Sequence, residues 1–75
     1  MENRVKKVMA AVFGVSIEEI SNEASPHEIM QWDSLKHMDL VTALEEEFNI
    51  HFDDDEVLSL IHFNVIVETI KAYVQ

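Results

Sequence analysis

The chain has 75 residues, with no cysteine, one glycine and one proline, and 15 acidic residues against 5 basic ones give it a formal net charge of −10. That charge makes nucleic acid and anionic membrane poor partners and basic protein surfaces good ones. The missing thiol excludes a disulfide scaffold and a thiolate metal site, and any thioester chemistry would need a thiol from a cofactor. A hydrophobic fraction of 48% is enough for a folded core, though in one small domain spanning residues 1–75 the stability it gives is modest.

Val5, Val8, Met9, Val12 and Phe13 recur at helical spacing and predict a first helix from about residue 3 to 13, with Asn3 as its cap and Gly14 in the left-handed position after its end. This basic start and short apolar run are too short for a signal peptide, and no segment is long enough to span a bilayer, so a soluble cytoplasmic monomer is expected. A connection of some twenty residues follows, which needs local order in a compact chain. Ser16-Ile17-Glu18-Glu19 and Ser25-Pro26-His27-Glu28 each have the form of a capping box and predict short turns. Val15, Ile17, Ile20, Ile29 and Met30 are the expected anchors of this connection on the core.

A second helix is predicted from Asp33 or Ser34 to Phe48, with Leu40, Leu44 and Phe48 inward and Asp33 as an acidic cap on the helix dipole. Asp53 to Glu56 reads as a third helix start, leading through Val57, Leu58, Leu60 and Ile61. A last helix covers about Asn64 to Val74 with Ile66, Ile70, Tyr73 and Val74 inward. The expected fold class is all-α: a small bundle of three main helices and one short one, with a long loop between the first two. His27, His37, His51 and His62 show no metal-ligand spacing and read as surface or loop residues. The acidic run at residues 53–56 lacks the glycine of a calcium loop, so no metal site is expected. Trp32 reads as an apolar anchor closing the bundle, the alternative being an exposed contact for a partner.

Asp33-Ser34-Leu35 stands at the mouth of the second helix, where a serine hydroxyl projects into reach of another enzyme. Alone, the tripeptide is better explained as a helix cap. In context, the chain resembles the acyl carrier protein family over essentially its whole length. The D-S-L motif falls at residues 33–35, the acidic-then-Leu pair at Asp39 and Leu40, and A-L-E-E-E-F at residues 43–48. The resemblance implies that Ser34 receives 4′-phosphopantetheine from a phosphopantetheinyl transferase, that the arm's thiol holds an acyl group, and that Asp33 and Leu35 belong to the attachment site. It also implies partner enzymes that load and process the acyl group. Gln31 and Trp32 replace the small residues usual before the motif, Lys36 replaces an acidic one, and His37 and Met38 are uncommon choices; these departures bear on which pathway is served.

Met38, Asp39, Thr42, Glu45 and Glu46 follow Ser34 at helical spacing and form the expected docking strip for enzymes with basic surfaces. An uncharged core is expected to shelter an apolar cargo. The expected function is therefore an acyl carrier of fatty acid, polyketide or related biosynthesis, with no catalysis of its own. The alternatives are an aminoacyl or peptidyl carrier with the same attachment chemistry, and a non-carrier acidic module that binds a basic partner. An independent enzyme lacks support: there is no cysteine, His–carboxylate pairing, metal set or Gly-rich phosphate loop.

Overall fold

In the computed structural model, which describes residues 1–74, the described chain is all helical. Its helices are α1 (Glu2–Phe13), α2 (Ser34–Phe48), α3 (Asp54–Ser59) and α4 (Phe63–Val74), with one 3₁₀ turn, Ile17–Glu19, between α1 and α2. The amphipathic stripes explain the packing. Val5, Met9 and Phe13 of α1 meet Leu40, Val41, Leu44 and Phe48 of α2 and Phe63, Ile66, Val67 and Ile70 of α4 in one apolar core. Arg4 fixes the register of α1 on the end of α2, donating to the Glu47 carboxylate at 3.1 Å and to the Glu47 carbonyl at 3.0 Å while its guanidinium covers the Phe48 ring.

α1 and α2 end in the same way. Gly14 (φ 69°) and Asn49 (φ 55°) adopt the left-handed conformation after the last turn. In each case two successive N–H groups return to one carbonyl, Ala10 for α1 and Glu45 for α2. Glycine has no steric penalty there, and asparagine tolerates it better than most residues. At its start α1 differs from expectation: it begins at Glu2 with Met1 in the cap position, so Asn3 lies inside the helix.

The long connection is ordered by local hydrogen bonds and four buried anchors. Glu19 accepts the Ser16 backbone N–H at 2.9 Å, and the Ser25 carbonyl accepts from Glu28 and Ile29, so both predicted turns form. Ile20, Ala24, Ile29 and Trp32 reach the core. Met30 does not: it is 92% exposed, because Ile29 and Trp32 take the inward directions of a tight turn closed from Trp32 N–H to the Ile29 carbonyl. The Ala24 carbonyl accepts the Phe63 N–H at 2.9 Å and so satisfies an otherwise unpaired donor at the start of α4.

The second half also departs from the sequence reading in detail. α3 stops at Ser59; Leu60 is buried, whereas Leu58 and Ile61 face outward. α4 begins one residue early, at Phe63, and outruns the core, leaving Tyr73 and Val74 more than one-third exposed. Tyr73 packs edge-on against Phe52, with ring centroids 5.7 Å apart. No helix among the described residues is long and apolar enough to cross a membrane.

The end of α4 is tied to the start of α3 by one polar contact. The Tyr73 hydroxyl donates to Glu56 Oε1, which also accepts the Asp53 N–H. That bond to Glu56, with desolvation and the carboxylate charge behind it, pushes the Tyr73 phenol up to about 12. The same bond, followed by the one from Asp53, holds Glu56 below the ordinary carboxylate range. A phenol whose folded pKa is raised from 10.0 to about 12 contributes stability that is complete below pH 10.0 and lost as pH rises toward about 12. Tyr73→Phe should therefore flatten the fall of the urea midpoint across this alkaline range, while the wild type declines more steeply. Parallel pH profiles for the two proteins would show that the contact contributes nothing to stability.

Candidate functional site

Ser34 is the first residue of α2, and its side chain is exposed. Asp33 caps the helix, its Oδ1 accepting the Lys36 N–H at 2.9 Å. The motif thus has a structural duty at Asp33 and leaves the next residue pointing outward. Ser34 and Asp33 stand on the rim of an open groove of about 560 Å³. Met38 of α2 forms one wall, and Val57, Leu58 and Ile61 form the other. The lining is largely apolar, and two of its side chains, Leu58 and Met38, are more than half exposed.

Trp32 and His37 form the floor. The indole is 4% exposed and closes the bundle, with its ring centroid 5.1 Å from that of Phe13 in α1. Its Nε1 donates to His37 Nδ1 at 3.1 Å. An indole can only donate, so Nδ1 is the acceptor and the imidazole proton lies on Nε2. Nε2 donates in turn to the Val57 carbonyl at 2.8 Å, one of the carbonyls that the last turn of a short helix leaves poorly satisfied. A single neutral histidine thereby links the loop before Ser34, the inner side of α2 and the end of α3.

His37 is accordingly not the surface residue expected from sequence. It precedes Leu40, Val41, Leu44 and Phe48 by three, four, seven and eleven residues, and so belongs to the buried stripe of α2. That spacing was readable; the polar character of histidine hid it. Among the described residues no three His, Cys, Asp or Glu side chains are arranged to hold a metal ion.

Of the expected docking strip, Met38, Asp39, Thr42 and Glu46 are exposed along α2, as is Leu35 of the motif. Glu45 is different. Its Oε2 accepts the Phe52 backbone N–H at 2.9 Å and lies 3.3 Å from His51 Nδ1. This carboxylate is turned onto the loop that follows α2 and anchors it, a use its position in the strip does not reveal.

The chain matches the family model described as the phosphopantetheine attachment site over residues 3–70. It is 38% identical over 74 residues to the acyl carrier protein of Buchnera aphidicola subsp. Baizongia pistaciae (strain Bp), an alignment covering 99% of this chain and 95% of that protein. A small helical bundle with this match is a phosphopantetheine-binding carrier, and the chain belongs to the acyl carrier protein family. It is a carrier and not an enzyme, and its cofactor is 4′-phosphopantetheine. The residues around α2's start fit that group: an exposed hydroxyl, backbone N–H groups of a first helical turn suited to a phosphate, and an apolar groove alongside. When bound, the arm supplies the thiol that a chain without cysteine lacks.

His37→Ala should leave the Trp32 indole N–H without an acceptor and the Val57 carbonyl with only the longer bond from the Leu60 N–H, at 3.4 Å. A buried group left unpaired costs about 1–3 kcal/mol, so urea unfolding should show a loss of about 2 kcal/mol. The emission of Trp32, the sole tryptophan, should shift to the red. An unchanged midpoint and spectrum would show that the histidine bridge does not hold the floor in place.

Proposed function

We propose that Ser34 bears the phosphopantetheine arm and that this chain, acting as one carrier domain, presents acyl groups on it to enzymes of fatty acid, polyketide or related biosynthesis. The observation that carries the reading is the position of the Ser34 hydroxyl: exposed, at the first residue of α2 and on the rim of an apolar groove. The relative's name, acyl carrier protein, supports an acyl cargo. In this reading Asp33 orders the helix start beneath the serine, and Leu35 gives the modifying enzyme an apolar contact. Incubation with coenzyme A and a broad-specificity phosphopantetheinyl transferase should add one phosphopantetheine to the wild type and none to Ser34→Ala, as intact mass reads directly. Labelling of the variant, or none of the wild type, would sink the assignment.

The docking surface follows from charge. Asp39 and Glu46 are exposed on the outer side of α2, with Thr42 between them and Met38 as an apolar centre. A carrier must meet several enzymes briefly, and long-range attraction to a basic surface speeds encounter without a large apolar interface. Lys36 interrupts the acidic surface near Ser34 and discriminates against enzymes that expect a carboxylate there. Glu45 is unsuited to a test of docking, because it also holds the Phe52 backbone. Asp39→Lys and Glu46→Lys should each lower the transferase's kcat/KM about tenfold or more at low salt, with the loss shrinking at high salt. Equal values for wild type and both variants would move docking away from this side of α2.

A further inference from the structure

We propose that the Trp32–His37–Val57 chain is a latch that sets which acyl groups this carrier holds. It keeps the bundle interior shut beneath Ser34, so that the protein suits short apolar acyl groups lying in the open groove and gives longer ones no shelter inside. The proposal rests on the reading of Ser34 as the attachment residue and adds to it a class of cargo and the residues that select it.

Trp32 lines the groove with one face of its environment and packs on Phe13 of α1 with the other. The indole therefore stands between the groove and the apolar interior. It is held there from the side: His37 lies nearly parallel to it, with ring centroids 6.3 Å apart and planes 19° apart, and accepts its only proton donor. The second nitrogen of His37 is engaged by the Val57 carbonyl, so the same side chain ties α3 to α2 across the groove.

Two consequences follow for a cargo. Both imidazole nitrogens are used, so the floor offers ring faces and no free donor, and with Met38, Leu58 and Ile61 on the walls it suits an apolar chain rather than a polar one. To enter the bundle, that chain would have to displace the indole, giving up its contact with Phe13 and its hydrogen bond to His37. Those losses must be offset methylene by methylene. A short acyl group does not carry enough apolar surface to do so, and it stays outside. His37 acts here as a positioning residue: it touches no reacting atom, and it sets the cargo by holding Trp32 and α3.

The test uses acyl-coenzyme A substrates and a broad-specificity transferase to load the full chain with butanoyl-, hexanoyl- or octanoyl-phosphopantetheine. Intact mass is taken before each melt. Wild type, His37→Leu and Trp32→Val are compared by how Tm changes with acyl length within each protein, so that the lower starting stability of a variant cancels. His37→Leu keeps most of the side-chain volume while breaking both bonds, which provides a folded comparison if Trp32→Val is too unstable. In the wild type, Tm should stay level across the series and the Trp32 emission should not move. In the latch variants Tm should rise by about 5 °C or more from butanoyl to octanoyl, as the opened interior takes up the added methylenes. A wild-type Tm that climbs as steeply as the variants', or variants as level as the wild type, overturns the latch. A wild type that takes no arm overturns the Ser34 assignment, and the proposal with it, and the mass measurement separates that failure from the other.

Discussion

A buried indole has one N–H and must find an acceptor for it, and much of this structure is arranged around that requirement. Trp32 lies at the end of the connection between α1 and α2, where its bulk fills the space beside Phe13. The acceptor comes from the first turn of α2, as His37 Nδ1. Using that nitrogen as an acceptor places the proton on the other one, and the Val57 carbonyl takes it. One hydrogen-bonding obligation thus propagates from the loop to α2 and on to α3, and it fixes the width and floor of the groove on whose rim Ser34 stands. No buried side-chain nitrogen or oxygen among the described residues is left without a partner, consistent with a small core that has little stability to spare.

The acidic character of the chain divides into two uses. Some carboxylates are spent on the fold: Glu19 and Glu56 accept the N–H groups of Ser16 and Asp53, Asp33 accepts that of Lys36, Glu45 accepts that of Phe52, and Glu47 holds Arg4. These are short-range tasks at helix ends and loop corners, where an anionic acceptor suits unpaired backbone donors. Others, such as Asp39 and Glu46, face outward and remain as a field that reaches beyond the surface. Composition alone does not separate the two sets, although they differ entirely in what replacing them would do.

A carrier has different structural demands from an enzyme. It needs no charged pocket or paired acid and base. It needs an accessible attachment residue held by a rigid helix start, a surface other proteins can find, and a decision about how far the cargo is withdrawn from solvent. With Ser34 as the proposed attachment residue, the first is met by the Asp33 cap and the exposure of that side chain. The third is a matter of a few hydrogen bonds around Trp32, and such bonds are easily changed by substitution without altering the helices.

The helices themselves were legible from the chain, because apolar spacing, Gly14, the Ser16 and Asp53 caps and the Asp33-Ser34-Leu35 motif are all local signals that depend on neighbours within a turn or two. The tertiary structure alone decided which ambiguous side chains face inward. Met30 and Ile29 are adjacent in a turn, and only the fit against the core sent one in and the other out. Tyr73 and Val74 continue the stripe of α4, but the core ends before they do. Glu45 looks like its neighbours in the acidic strip until the backbone of Phe52 is brought against it. His37 gains its role only when Trp32, five residues before it, and Val57, twenty residues after it, are placed on either side. Periodicity specifies the face of a helix, whereas the use of a polar group on that face depends on partners that folding brings from elsewhere in the chain.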